Sequence, residues 1–557
     1  MFQPASNPTT SLRPATPREV LKTDVLVVGL GPVGAAMANM LVRQGVRVLA
    51  IDKALEPFDK PRAIALDNEA LRILQSLGVR DGDFSTLAIP QVQYHSPLFG
   101  RFARIATAGS IDGHPKLVTF YQPELEAVLR GRLRAASLAD IRLGAELLAF
   151  SDDGRGVAAT VREASGRELA IHARFLVAAD GAGSLVRHQL GLEFDGTTFQ
   201  QDWLIVDARD VPDPVDHCSF NCDPRRPSPR MVAPGGRQRW EFMLRPGESR
   251  EEMERPETVK RLLAPWCDAD RVTIERTAVY RFHAREARAF SRGRCFLVGD
   301  AAHITPPFAG QGLVAGLRDV SNLAWKLAWV TKGRASESLL ESYDAERRPH
   351  ARKIIRLARF LGALVMPSNR LAAFAIHGLM RGLQVVPHIR ALFEDLKIKP
   401  QNSFDHGCFE GKRSDRLRAG STFPQGWVRS PTLPTPRLSD DALGDGWSLV
   451  GFGRDPHEFL SRADLAAWEA AGGRIWQWCH RGQAQHLGAP GIQLEALDDV
   501  VLPGRVPIGW AAIVRPDRCV FIEGPVEESA AMVRRAVDVL AGAPETATQA
   551  SLRAVAS

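Results

Sequence analysis

A short glycine run, Gly29-Leu30-Gly31-Pro32-Val33-Gly34, constrains this chain more than any other feature. It follows Val25-Leu26-Val27-Val28, an apolar, β-branched run that reads as a buried parallel strand. It leads into an expected helix over residues 32–44, with proline in the first turn and Gly45 just past the end. Residues 46–51 read as a second strand. Asp52 closes that strand and Lys53 follows. Such glycines permit a tight turn and let the backbone approach a pyrophosphate on the positive helix N-terminus. A carboxylate roughly 20 residues further on accepts hydrogen bonds from a ribose. Together these predict a dinucleotide site, and they do not separate FAD from NAD.

The rest of the chain sets the frame. At 557 residues it is too long for one core and predicts about two to four domains. Its 45% apolar and 24% charged residues are ordinary for a globular protein. The net charge of +7 suits an anionic cofactor or substrate as well as a merely basic surface, and no nucleic-acid-binding motif is present. Seven irregularly spaced cysteines fit reduced thiols in the cytoplasm better than a disulfide framework, and Cys218 with Cys222 lacks the second pair a metal site needs. The Pro- and Ser-rich start has no apolar core of a signal peptide, and no apolar run is long enough to span a bilayer.

Two further motifs follow apolar runs. One is Asp180-Gly181-Ala182-Gly183-Ser184-Leu185-Val186-Arg187. The other is Gly299-Asp300-Ala301-Ala302-His303, with Pro306 and Gly310-Gln311-Gly312 after it. Each taken singly fits a capped loop. In this order the three motifs resemble the class A FAD-dependent aromatic hydroxylases. So do the helix that starts at Leu313-Val314 and the stretch Leu340-Glu341-Ser342-Tyr343-Asp344. Pro61-Arg62-Ala63-Ile64-Ala65-Leu66-Asp67-Asn68-Glu69, Cys222-Asp223-Pro224 and Glu241-Phe242-Met243 resemble the 3-(3-hydroxyphenyl)propionate hydroxylases in particular.

The resemblance implies an α/β FAD-binding domain, Rossmann-like and of glutathione-reductase type, at residues 22–395. Its segments are 22–90, 121–200 and 284–395. A β-sheet substrate domain is interleaved at 91–120 and 201–283. A linker at 396–437, a thioredoxin-like α/β domain at 438–545, and tails at 1–21 and 546–557 complete the expected layout. A long helix over residues 339–364, interrupted near Pro349, is also expected. Cys479 and Cys519 form no C-x-x-C, so no disulfide chemistry is expected of the last domain.

The implied activity uses NADH or NADPH to reduce FAD. O₂ then gives a C4a-hydroperoxide that hydroxylates a phenol, with a 3-hydroxyphenylpropionate-like acid as expected substrate. The resemblance places Asp300 on a ribityl hydroxyl, Asp180 and Arg187 by the pyrophosphate, and Arg62 and Gln122 against the flavin. At Val314 many relatives have Asn. A phenol is most reactive as phenolate, and its ordinary pKa near 10 calls for a base. Asp67 is the leading candidate, with capping of the next helix as its plain alternative. Glu241, at a position where phenol hydroxylases place Tyr, and Tyr280 and His283 as pocket-lining residues complete the catalytic set. A larger polycyclic or polyketide phenol is the alternative substrate. A flavin-dependent halogenase fits less well, because Trp476-Gln477-Trp478 lies too late in the chain and lacks the rest of W-x-W-x-I-P. A non-catalytic flavin-binding partner protein is the remaining reading. A homodimer is compatible with all of these.

Overall fold

The computed structural model describes residues 20–56, 62–212, 214–388, 399–411, 416–431, 433–484, 493–502 and 504–543. The expected C-terminal tail and most of the N-terminal one lie outside these residues, as does Pro61.

The nucleotide-binding unit forms as its sequence requires. Strand β1 (Val20–Val28), helix α1 (Pro32–Arg43) and strand β2 (Val48–Asp52) build the unit, and β1 already begins within the segment expected to be a tail. Strand β1 lies parallel to β2 on one side. β2 in turn pairs with β3 (Ala139–Leu143). On the other side β1 pairs with β4 (Glu168–Ala178), which pairs with the short strand Cys295–Leu297. All these pairings are parallel, so the carboxyl ends of the strands converge on one edge. Val25, Leu26 and Val27 are fully buried there, as expected of a strand covered on both faces.

A second sheet of eight strands carries β5 (Phe194–Arg209) between β6 (Arg237–Met243) and β7 (Thr273–Ala287), antiparallel to both. One face packs Leu204, Val206, Trp240 and Phe242 against a small satellite core. The other face turns Trp203, Ile205, Asp207, Arg239, Glu241 and Tyr280 towards the first domain. Strands β5 and β7 run past the expected domain boundaries at 201 and 283. Residues 117–120 instead pair with 65–67 in a separate small sheet.

Helix α2 (Asn68–Ser76) follows the short strand Ala65–Asp67. Helix α3 (Gly312–Thr331) runs through the core, with sixteen buried residues. Helix α4 (Ser342–Val365) is continuous through Pro349, against the expected interruption.

The C-terminal domain is a seven-stranded mixed sheet with helices Arg462–Ala470 and Ser529–Ala541. It takes in strands Trp427–Ser430 and Leu433–Leu438, which replaces the expected linker in that stretch. Trp476 and Trp478 stand in its strand Gly473–Cys479. Cys479 and Cys519 are buried and unbridged, and burial pushes the Cys479 thiol up to about 11. Buried ion pairs seat the domain. Glu346 lies 2.7 Å from Arg515 and 2.8 Å from Lys326, and Arg72 lies 2.7 Å from Asp440. Among the described residues, no helix is long and apolar enough to cross a membrane.

Candidate active site

A cavity of about 1220 Å³ runs from the glycine turn to the face of the second sheet. It exceeds the roughly 300–1,000 Å³ of a single small-molecule site, so it has room for a dinucleotide and a second ligand.

The cradle end is built from the glycine motif. Gly29 has φ +95°, and a Cβ there would stand 2.4 Å from the Ala179 carbonyl oxygen. At Gly34 a Cβ would stand 1.9 Å from the Gly29 oxygen, so only glycine lets the helix approach the turn. Gly31 has open space around it and lines the cavity with Pro32 and Val33. Asp52 accepts from Leu30 N at 2.7 Å and Ala54 N at 2.9 Å, and it also lines the cavity. Lys53 is exposed and lies outside the lining.

Asp180 follows β4 beside the turn and accepts from Val186 N at 3.3 Å. Arg187 is a loop clamp. It donates to the carbonyls of Ala301 at 2.9 Å and Ala182 at 2.8 Å, and its guanidinium lies over the Phe194 ring. Gln122 accepts from Arg62 N and Ala63 N at 3.0 and 2.9 Å, which fixes the segment bearing Arg62. Arg62 Nη1 lies 4.0 Å from Asp300. Asp300 opens into the cavity, and enclosure by protein raises its carboxyl above the usual range.

Gly299, Pro306, Gly310, Gln311, Gly312 and Leu313 form the loop into α3. Gly310 takes φ +62°. Gly310, Gln311, Gly312 and Leu313 line the cavity. Val314 is fully buried in the core and lies outside the cavity lining. No side chain caps α3, which leaves its first-turn N–H groups and positive dipole end at the cavity.

These features fit a flavin dinucleotide. Arg130 Nη1 is buried without a partner among the described residues and Arg130 lines the cavity, so a pyrophosphate would supply that partner; Asp180 lies outside the lining. Arg130 also holds the turn by donating to Leu30 O at 2.8 Å. No sequence signal marked Arg130. Asp319, whose role the motifs also left unassigned, is fully buried. It accepts from Gly299 N at 3.0 Å, His303 Nε2 at 2.7 Å and Arg347 Nε at 2.9 Å. His303 is thus a packing residue of the loop.

Asp67 takes the capping role given as its alternative. Its Oδ1 accepts from Ala70 N at 3.0 Å and caps α2. Its Oδ2 lies 3.1 Å from Gln311 Nε2, 3.2 Å from Arg318 Nη2 and 2.7 Å from Lys399 Nζ. Despite burial, Lys399 and Arg318 hold its carboxyl below the usual range. Both oxygens are committed, so Asp67 touches the cavity wall as a structural anion.

The other end of the cavity meets the second sheet. Glu241, Tyr280 and His283 all line it. His283 is held 3.0 Å from Thr198 Oγ1, and burial lowers its pKa. Val92, Phe220, Met231, Phe282 and Phe308 make the apolar wall.

Residues 22–358 match the family model described as an FAD binding domain, and residues 420–538 match the one described as an HcaD C-terminal domain. A 3-(3-hydroxy-phenyl)propionate/3-hydroxycinnamic acid hydroxylase from Burkholderia cenocepacia (strain HI2424) is 37% identical over 82% of this chain and 84% of its own length. Its namesake from Comamonas testosteroni is 33% identical over 93% of this chain and 97% of its own. The crystal structure of aklavinone-11 hydroxylase with FAD and aklavinone superposes with a TM-score of 0.71 at 25% identity, covering 93% of this chain and 99% of that one.

Proposed function

We propose that this chain, which belongs to the family of FAD-dependent aromatic hydroxylases, acts on a phenolic acid of the 3-(3-hydroxyphenyl)propionate class, with NADH or NADPH as reductant and O₂ as oxidant. FAD, when bound, supplies the two-electron and oxygen chemistry. The protein binds it through the Gly29–Gly34 turn, Asp52, Arg130, Asp300 and the start of α3.

The carrying observation is the two-part lining of the cavity beyond the flavin loop. Its apolar wall, with Phe220, Met231, Phe282 and Phe308, suits an aromatic ring and a short aliphatic chain. Its polar end, with Arg239, Glu241, Arg276 and Tyr280, suits a phenolic hydroxyl. The named substrates of the two relatives carry both groups. A screen of phenolic acids for faster NAD(P)H oxidation coupled to catechol formation tests the reading. Oxidation that yields only peroxide with every phenolic acid would overturn it.

The C-terminal domain supports a thioredoxin-like reading through its order. Parallel strands Trp447–Phe452 and Gly473–Cys479 flank a helix, and the antiparallel pair Trp510–Val514 and Val520–Pro525 precedes the last helix. Its role is structural. A cytoplasmic location is supported by seven unbridged thiols. A homodimer is supported by Leu371, Phe374 and Leu379, which expose an apolar row on helix Arg370–Leu383. Light scattering that gives a monomer mass would remove the dimer.

A further inference from the structure

We propose that Glu241 takes the phenolic proton of the substrate, and that the array Arg239–Asp207–Arg276 beside it balances the charge then left on the phenolate oxygen. This rests on the phenolic-acid reading above.

Register puts these groups on one face. Glu241 on β6 stands opposite Ile205 on β5. One pleat along, Arg239 stands opposite Asp207, and Asp207 stands opposite Arg276 on β7. Asp207 holds both guanidiniums. Arg239 Nε and Nη2 donate to it at 2.7 and 3.1 Å, and Arg276 Nη2 lies 2.8 Å away. Arg239 also donates to the Arg62 carbonyl at 3.0 Å, which ties the array to the flavin side of the cavity. Tyr280 on β7 lies 3.5 Å from Arg276 Nη1, with Arg62 over its ring.

Glu241 is only 6% exposed, and its remaining exposure is to the cavity. Among the described residues, no donor hydrogen-bonds its carboxylate. A buried acid without a partner, aimed into a ligand cavity, is costly unless a ligand completes it. Burial pushes it up most. Arg239 on its own strand pulls it down, Asp207 pushes it up, and Arg276 pulls it down, leaving it at about 7. Both protonation states are then populated at neutral pH, which suits a general base.

The step balances. The phenol O–H bond breaks, the proton goes to a Glu241 carboxylate oxygen, and the electron pair stays on the phenol oxygen. Beforehand Arg239, Arg276, Asp207 and Glu241 are neutral as a set. Afterwards they carry one positive charge, facing one negative charge on the phenolate. No oxidant or reductant is consumed. The other candidates are less suited: Asp67 has both oxygens occupied, and His283 is bound to Thr198 and outside this array.

The test uses the oxidised holoenzyme without NAD(P)H. Affinities for 3-(3-hydroxyphenyl)propionate and for 3-phenylpropionate, which lacks the hydroxyl, are read from perturbation of the flavin spectrum between about pH 6 and about pH 8. Ionised Glu241 makes a charge-assisted hydrogen bond to the phenol. The preference for the hydroxylated ligand should therefore grow about fivefold or more as pH rises. In Glu241→Gln, with flavin content retained, the preference should be flat with pH. The rate of product formation at neutral pH should fall by about 10²–10⁴-fold and recover at high pH, with less product per NAD(P)H. A flat preference in the unmodified protein overturns the assignment even if Glu241→Gln fails to fold. So does a pH-dependent preference that survives in Glu241→Gln. If the holoenzyme binds neither ligand, the phenolic-acid reading falls and the assignment with it. Binding of both with a flat preference removes Glu241 alone.

Discussion

Arg318 Nη2 lies 3.2 Å from Asp67 Oδ2, and the same guanidinium donates from Nη1 to Gln311 Oε1 at 3.0 Å. One arginine thus ties the cap of α2 to the loop that opens α3. Lys399 adds a contact from beyond the flavin domain, 2.7 Å from both Asp67 and Glu69.

Asp67→Asn should therefore behave as a lesion of that cluster. Asn still caps α2, but Arg318 and Lys399 then face Glu69 alone. Breaking a buried pair costs about 3–5 kcal/mol. Asp67 has a lowered pKa in the folded protein. Its contribution is present above the ordinary carboxylate range and is lost as pH falls through the lowered value. Urea titrations at neutral pH should show the loss, along with weaker flavin retention. The pH profile of coupling should keep its inflection near that of Glu241. A fully stable Asp67→Asn with a flattened profile would return Asp67 to the role of base.

Gly31→Ala and Gly34→Ala should separate binding from folding. Gly31 has nothing within 4 Å, so its alanine variant should fold normally and lose flavin affinity, because the methyl group occupies the approach to the cradle. At Gly34 the methyl group meets the Gly29 carbonyl oxygen at 1.9 Å. Overpacking of this kind costs about 1–3 kcal/mol, which thermal melts of the apoprotein should detect. Equal melting of the two apoproteins would contradict this division.

The purified protein should be yellow, and Asp300→Ala should lose most of its flavin. A hydrogen bond involving a charged group contributes about 1.5–3 kcal/mol, or roughly 10- to 150-fold in affinity. Flavin-to-protein absorbance after gel filtration reads this directly. Full occupancy in the variant would remove Asp300 from the site.

Glu346 lies between Lys326 and Arg515 with no exposure, and both cations hold its carboxyl far below the usual range. Glu346→Gln should cost about 3–5 kcal/mol by leaving both cations short of a partner. Limited proteolysis should then release the C-terminal domain sooner. In the unmodified protein this contribution holds at neutral pH and is lost only in strong acid. Unchanged proteolysis would mean that the domain is seated by its apolar contacts alone.

What the sequence revealed divides along physical lines. The glycine turn and the helix it opens are legible because their conformation depends on residues a few positions away, whereas Asp52 and Asp300 stand out only through the wider motif pattern. The roles of Asp67 and Arg130 depend on distant partners, Lys399 and Leu30, which no local pattern reports. Strand Leu433–Leu438 was missed because Pro434 and Pro436 argue against a strand. It is the edge strand of its sheet, where a missing donor is tolerated. Proline at 349 suggested an interruption that the packing of α4 overrides.

Glu241→Gln should also change stability, in the direction opposite to the Asp67 lesion. An acid whose folded pKa is raised, here from 4.5 to about 7, leaves the folded protein holding a proton that the unfolded chain has released. The stability this gives is full below about pH 4 and is lost as pH rises through about 7. Above that, the unmodified protein carries a buried anion whose main compensation is the array around Asp207. Gln has no such charge. Glu241→Gln should therefore match the unmodified protein near pH 4 and exceed it at pH 8 by up to about 3 kcal/mol, at 1.36 kcal/mol per pKa unit. Urea midpoints measured with flavin bound at both pH values decide the matter. A variant that is more stable and less coupled is what an active-site acid held at a cost in stability predicts. Equal midpoints at pH 8 would mean that Glu241 is solvated through the cavity, with an acidity close to that of an ordinary glutamate.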